Sequence, residues 1–357
     1  MKLHLLHESD YCQNGIAMRF PIWFSKNELQ ERGVDVRFFQ DPHDPELLAC
    51  DTLLVSSKAF SRWWTQKNEA LFAWLEEASS KTNLVWADVS DSTGTTHFQV
   101  LPYVEIYIKA QLLQDRRRYQ ETWYGSRIFT DAYHRKTGTL DDHPGEPHLN
   151  HIPTDEELKK VQVGWNSGMF HYGQLGWYLG KVWHSSSNIP AWYPKLWHTP
   201  SAGRRVRVSC RIGVGHGKNT VTGPRREIRE RLSGFVQTHK VSRGKYFSEL
   251  RKSVAAVSPF GLGEISLRDF ECIVSGAGLI KQDMSHLETW PNVFREGAYL
   301  PFRWDLADLE DVIRYAIDHP NDIAERASFA QQIYKNALFG TNVDGGFCER
   351  LLDVVNS

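Results

Sequence analysis

Short apolar runs alternate with amphipathic stretches along the first 110 residues. Residues 3–6 form an apolar run that leads through the polar turn Glu8-Ser9-Asp10-Tyr11 and Gly15 into a helical stretch at 17–31. Gly33 closes that stretch, a residue suited to a helix C-terminus. Segments 34–39, 52–55, 84–87 and 104–108 are rich in β-branched or aromatic residues, and 63–78 reads as a helix between the second and third of them. Strands alternating with helices predict a parallel sheet with helices on its faces.

The middle of the chain is punctuated differently. Residues 120–155 carry many turn formers, and Asp141-Asp142-His143-Pro144-Gly145-Glu146-Pro147 reads as a long loop. Five tryptophans (Trp165, Trp177, Trp183, Trp192, Trp197) fall among Gly, Ser, His and Pro, where most suit a core or a domain interface. Residues 182–203, broken by Ser185-Ser186-Ser187, Pro190, Pro194, Pro200 and Gly203, read as a linker. A second alternating unit follows, with strands at 205–214, 254–257 and 279–281 and helices at 225–232, 265–275 and 307–318. The tail, 321–356, is helical with a break at Gly345-Gly346. Two successive α/β units predict two Rossmann-like domains split near 185–203. Ligands of open α/β sheets sit beyond the carboxyl ends of the strands, so the facing cleft is the expected site.

Composition narrows the class. The chain has 357 residues, 41% hydrophobic and 12% aromatic, which is enough apolar material for two packed cores and excludes a disordered chain. A net charge of −1 argues against a general nucleic-acid coat protein. Five cysteines (Cys12, Cys50, Cys210, Cys272, Cys348) are odd in number and form no CxxC pair, which fits a reducing compartment and neither a disulfide framework nor a structural zinc site. The apolar run at the start is too short for a signal peptide, and no stretch approaches the roughly 20 apolar residues of a spanning helix. The expectation is a soluble cytoplasmic protein, with peripheral attachment to a membrane surface left open.

The most informative stretch is Ser258-Pro259-Phe260-Gly261-Leu262-Gly263-Glu264-Ile265-Ser266-Leu267-Arg268-Asp269-Phe270-Glu271. It follows a strand, passes Gly261 and Gly263, and opens a helix, so backbone N–H groups and the helix end can meet a phosphate. Glu264 and Glu271 are seven residues apart, two turns of one helix, and are expected on one side. There a carboxylate can accept hydrogen bonds from the paired hydroxyls of a ribose or hexose. The plainer alternative makes Glu264 a first-turn charge and Glu271 a half-exposed surface residue.

Gly276-Ala277-Gly278-Leu279-Ile280-Lys281-Gln282-Asp283-Met284-Ser285-His286-Leu287-Glu288-Thr289-Trp290-Pro291 follows, and then Trp304-Asp305 and Asp308-Leu309-Glu310. The run from 258 to about 308 resembles bacterial glycosyltransferases of the GT-B fold that act in polysaccharide and lipopolysaccharide assembly and are distantly like exostosins. It departs from that pattern at Gln282, where proline is expected, a change expected to affect the loop more than the chemistry. Only six residues separate Glu264 from Glu271, not the seven of the large retaining families, so the stereochemical outcome stays open. Weaker echoes fall at Asp88-Val89-Ser90-Asp91, Lys109-Ala110-Gln111 and Gly164-Trp165-Asn166.

The resemblance implies an N-terminal acceptor domain (1–190), a donor domain (200–335) and a C-terminal helix (336–357) that returns to the N-terminal domain. It implies a nucleotide-sugar donor and a glycan or lipid-linked acceptor in surface polysaccharide assembly at the inner face of the membrane, with no nucleic-acid partner. Gly261, Gly263, Glu264, Arg268, Glu271, Lys281 and His286 are then expected around the donor, with Glu271 on the ribose and Glu264 nearer the sugar.

Residues 204–231 hold nine basic side chains against two acidic ones, suited to a diphosphate or an anionic lipid-linked acceptor; a solvated helix face is the simpler reading for any one of them. Arg225 and Arg226, read as opening one helix, and Lys245, opening the next, are the candidates for diphosphate neutralisation. No DxD stands at a strand end; Asp141-Asp142-His143 reads as solvent-facing, and His143, His148 and His151 are irregularly spaced. Neither a metal nor another cofactor is therefore expected. For an acceptor base the candidates are His7, Glu8 and Asp10 after the first strand and Asp88 and Asp91 after another, each of which could instead cap a turn. Lys109 ends a strand and either reaches the cleft or is a surface cation. Three competing readings are an epimerase or phosphorylase of the same fold, a non-catalytic nucleic-acid binder using 204–231, and a degenerate, scaffold-like transferase relative, against which intact Glu264, Arg268 and Glu271 argue.

Overall fold

The computed structural model describes residues 1–66, 68–143, 151–170, 173–185, 197–340 and 346–356. Pro144, Gly145, Glu146, Pro147, His148, Ser186, Ser187, Pro190, Trp192, Pro194 and Gly345, named above, lie outside the described residues, as does the side chain of Trp177.

Among the described residues, twelve strands make three sheets: β1 (Lys2–Leu6), β2 (Asp35–Phe39), β3 (Thr52–Ser56), β4 (Asn83–Asp88), β5 (Ile106–Lys109), β6 (Gln111–Leu113), β7 (Val161–Val163), β8 (Val206–Ser209), β9 (Ser253–Val257), β10 (Gly278–Gln282), β11 (Leu287–Thr289) and β12 (Leu300–Phe302). The first sheet runs β2-β1-β3-β4-β5-β7 and is parallel throughout, with Leu5 opposite Leu54 and Val85 opposite Ile106. Both faces are covered, so β3 and β9 are buried along their whole length, as parallel strands under helices must be. The second sheet runs β12-β10-β9-β8, also parallel. β6 and β11 form a two-stranded antiparallel ribbon that ties the halves together.

Helix Pro320–Phe339 bridges the two sheets. Its Gln331 Nε2 donates to the carbonyls of His198 and Ile273, and its Tyr334 hydroxyl donates to those of Gly168 and Phe170. Helix Phe347–Asn356 then lies against the first sheet: the Phe347 ring meets Trp165 edge-on at 5.1 Å, Arg350 donates to the carbonyls of Val163 and Gly164, and Asn83 Nδ2 donates to the Val355 carbonyl. Two parallel Rossmann-like sheets whose carboxyl-end loops meet, with the last helix returning to the first sheet, make this a GT-B fold, as expected.

Several expectations are corrected. The helix read at 17–31 is two helices, Gln13–Phe24 and Lys26–Glu31. Gly15 lies inside the first because the Glu8 carboxylate packs 2.4 Å from where its Cβ would be, a close approach and not a turn. The helix read at 225–232 starts six residues earlier (Asn219–Leu232), so Arg225 and Arg226 do not open it. Its first turn is capped from afar: Asp141 accepts from the Thr220 N–H (2.7 Å) and hydroxyl (2.8 Å). Asp141 is therefore buried, not solvent-facing. The helix read from 265 begins at Leu267, where Ser266 and Asp269 form a reciprocal capping box. Turn-rich 120–155 contains helix Ile128–Thr137, ended by Gly138 at φ +71°. Among the described residues no helix is long and apolar enough to cross a membrane.

Candidate active site

The carboxyl-end loops of the two sheets touch at 258–266 and 88–93. A Cβ at Gly263 would stand 1.9 Å from the Asp91 carbonyl oxygen, so only glycine permits this approach. Next to it, Glu264 is wholly buried: its carboxylate accepts from Ser92 Oγ (3.3 Å), the Thr93 N–H (3.1 Å) and Gln111 Nε2 (3.0 Å). Burial raises its carboxyl above the ordinary range, opposed by the Thr93 N–H and by Lys109 and Arg127. Glu264 thus bridges the two halves.

On the first sheet, Asp88 and Asp91 differ sharply. Asp88 is buried and saturated, accepting from the Tyr107 hydroxyl, Lys109 Nζ (3.2 Å) and the Ser90 N–H (2.8 Å), with His97 Nδ1 at 3.2 Å. Burial favours its neutral form, but Lys109 and His97 outweigh burial and hold the carboxyl well below the usual range. Lys109 is a core cation, neither on the surface nor free in the cleft. Asp91 is exposed, and its Oδ1 accepts from Asn14 Nδ2 at 2.5 Å. Both line a recess at the ends of β4, β5 and β7, together with Asn14, Lys109, Trp165 and Ile265. His7 lies apart, buried, with Nδ1 facing the Arg19 guanidinium; burial and Arg19 push its imidazole down to about 3. That nitrogen lies between the Arg19 guanidinium, which can only donate, and the Glu8 carbonyl at 2.9 Å, which can only accept, so Nδ1 is engaged locally in either tautomer. Glu8 is buried against Arg19 (3.6 Å) and Ser56 (3.3 Å), and Asp10 pairs with Arg62 on the surface.

The expected donor residues fall into separate clusters. Lys281 is fully buried and donates to Asp269 Oδ1 and the Ser258 carbonyl, both at 3.1 Å, so it braces the loop from beneath. Arg268 donates to the Arg211 carbonyl and lies over the Tyr246 ring at 5.4 Å. Glu271 stands 3.5 Å from Arg243, and burial, opposed by Arg243 and Arg268, raises its carboxyl. Because the helix starts only at Leu267, Glu264 and Glu271 do not share a face: one meets the first sheet, the other Arg243 and Tyr246. Arg225 clamps two loops, donating to the carbonyls of Gly213 (2.8 Å), Pro259 (2.9 Å) and Phe260 (2.5 Å); burial and nearby Arg268 lower it to about 10. Arg226 and Lys245 are exposed. His286 packs edge-on against Trp304 at 4.7 Å with neither ring nitrogen hydrogen-bonded among the described residues, and burial lowers it to about 4. At Gly261 an added Cβ would meet open space.

The basic run 204–231 is not a free anionic-ligand stripe. Arg204 and Arg207 donate to backbone carbonyls, Arg211 to Glu249, Arg231 to Glu310 and Lys218 to the His143 carbonyl. His151 pairs with Glu157 at 2.8 Å, and among the described residues no three His, Cys, Asp or Glu side chains converge as metal ligands would.

Ser92, Thr93, Asn14, Arg243 and Tyr246 were not singled out from sequence. Gln111 sat in the Lys109-Ala110-Gln111 echo, a usable signal; nothing local marks the others, whose partners are 25 to 172 residues away.

No protein-family description and no curated protein matches the chain. Solved structures align with it along its length at low similarity. One, "alpha-glucosyltransferase (AGT) in complex with UDP", aligns over 100% of this chain and 99% of its own at 8% identity and TM-score 0.42. "Spinosyn Forosaminyltransferase SpnP" aligns over 100% of both chains at 10% identity and TM-score 0.38, and "S. aureus MnaA-UDP co-structure" over 98% and 95% at 8% identity and TM-score 0.39.

Proposed function

We propose that this chain is a glycosyltransferase that moves a sugar from a nucleotide-diphosphate sugar to a hydroxyl of a glycan or lipid-linked acceptor in surface polysaccharide assembly, working at the inner face of the membrane. The observation that supports this best is the contact of the two carboxyl-end loops. The loop whose residues resemble the transferase pattern (258–266) rests through Gly263 and Glu264 on the loop that presents Asp91 to the recess.

In this reading Asp91 takes the acceptor proton as the acceptor oxygen attacks the anomeric carbon, and the bond from that carbon to the diphosphate breaks with its electron pair on the leaving group. Asp91 suits the role because it is the exposed carboxylate of the pair, while Asp88 is saturated and positions the Ser90–Asp91 turn. The growing charge on the diphosphate meets Arg268, Arg243 and the N–H groups of the glycine loop, and Glu271 takes the ribose hydroxyls. Glu264 holds the halves together in place of touching the sugar. The test is release of nucleoside diphosphate from a panel of nucleotide sugars with extracted lipid-linked glycans as acceptor. Release that Asp91→Asn abolishes supports the reading, and no release from any donor and acceptor pair refutes it.

A further inference from the structure

A second cavity, of about 220 Å³, lies between helix Ile128–Thr137, the first turns of helix Asn219–Leu232 and the carboxyl ends of β10 and β12. Its walls are aromatic: Phe129 and Phe260 stand 5.2 Å apart, Phe260 and Trp304 5.7 Å, and Tyr133 completes the lining. Trp304 gives its indole N–H to the Asp283 carbonyl (2.8 Å), so it offers the cavity an apolar ring.

Among the polar groups of its lining is Gln282, the residue at which the chain departs from the transferase pattern. Gln282 is 4% exposed, and its Oε1 accepts from the Phe260 N–H at 3.1 Å. That bond orients the amide; among the described residues the Gln282 side chain makes this one hydrogen bond, through Oε1, which leaves Nε2 to donate. A proline would leave this wall without a donor.

The cavity is also electrically balanced. Lys136 donates to the Asp305 carbonyl (2.9 Å) and the Asp305 carboxylate is held by Arg303 (2.6 Å). Behind Thr220, the Asp141 carboxylate fills the N-terminus of helix Asn219–Leu232, the position from which a phosphate would otherwise be drawn. A nucleotide seated here would bring its phosphates toward that carboxylate, and an alkyl chain would leave the Gln282 donor unpaired. A neutral ring with apolar C–H faces and hydroxyl acceptors suits aromatic walls and one amide donor.

We propose that this cavity is a subsite for a neutral pyranose ring of the acceptor glycan, packed against Tyr133, Phe260 and Trp304 and hydrogen-bonded by Gln282 Nε2. The assignment rests on the glycan-acceptor reading above. The probes are maltotetraose, cellotetraose, mannotetraose and chitotetraose, with UDP, GDP and dTDP titrated separately, all against the full chain. At least one tetrasaccharide is expected to bind. Gln282→Leu should weaken that glycan roughly 2- to 12-fold, as for one lost neutral hydrogen bond, and leave the nucleotides unchanged. Ala132→Trp, at the exposed rim, should block the glycan in a chain that still folds. Three results overturn the subsite: no tetrasaccharide binds, binding survives both substitutions, or Gln282→Leu weakens a nucleotide instead. If a nucleotide binds and no glycan does, the subsite alone fails; if no nucleotide binds, the donor reading fails separately.

Discussion

The Glu264 carboxylate accepts a hydrogen bond from the Thr93 N–H, 3.1 Å away and 171 residues earlier in the chain. With Ser92 and Gln111 on the same carboxylate, one side chain fastens the 258–266 loop to the turn that carries Asp91. A residue expected to face a sugar is instead the fastening between the halves.

Gly263→Ala tests that fastening directly. The added methyl would meet the Asp91 backbone at 1.9 Å, and backbone cannot rotate aside as a side chain can. Overpacking of this kind costs about 1–3 kcal/mol, so the loops should part and turnover should fall at least as far as stability. Chemical denaturation and the transfer rate, measured on the same protein, check both.

Glu264 should also leave a pH signature. Burial raises its carboxyl in the folded chain above the ordinary 4.5, so the folded state holds the extra proton over that window. Stability must then fall as pH rises from about 4.5 through the raised value. Glu264→Gln keeps an acceptor for Thr93 and Gln111, and its amide can donate to Ser92, so this fall should disappear from its stability profile. Glu264→Ala leaves buried donors unpaired and should cost about 1–3 kcal/mol at every pH. Denaturation midpoints between pH 4 and 8 distinguish the three proteins.

Asp88 and Asp91 should separate cleanly by mutation. Asp91→Asn should abolish most turnover with little change in stability. Lys109→Met leaves the Asp88 carboxylate buried without its cation and should cost about 3–5 kcal/mol. The Asp88 carboxyl is held low when folded, so its contribution is present above the ordinary 3.8 and is lost as pH falls. Replacing both partners (Asp88→Asn with Lys109→Met) should be milder than Lys109→Met alone. Parallel melts and rate measurements give the answer.

Much of this architecture is legible in the chain because parallel strands under helices are apolar throughout. Thr52–Ser56 and Ser253–Val257 stand out for that reason. The three-residue strands β6, β7, β11 and β12 do not, since so short a run carries no periodicity and depends on its neighbours. The 258–271 motif reads as a donor loop; that it meets the first sheet, and which way its carboxylates turn, cannot be seen in it. Seven-residue spacing places two side chains on one face only within a helix, and the Ser266–Asp269 cap starts that helix after Glu264. The arginines of 204–231 misled in the same way: sequence shows their charge, while Glu249, Glu310 and the backbone carbonyls that occupy them come from distant segments.

Turnover should survive chelation. Arg268 and Arg243 flank Glu271, the group assigned to the ribose, and supply fixed positive charge for the departing diphosphate. Excess EDTA should leave the rate of nucleoside diphosphate release unchanged, and complete loss restored by Mn²⁺ or Mg²⁺ would refute this assignment.

The most direct measurement is binding of UDP, GDP, dTDP, ADP and CMP to the wild-type chain and to Glu271→Ala, read by thermal unfolding and calorimetry. A nucleotide at 100 times its dissociation constant should stabilise the wild type by about 2.7 kcal/mol. Glu271→Ala, folded, should bind that nucleotide roughly 10- to 150-fold more weakly, as loss of charged hydrogen bonds to the ribose requires. If no nucleotide stabilises the wild type, or if Glu271→Ala binds as tightly as the parent, the nucleotide-sugar site is not where this account puts it.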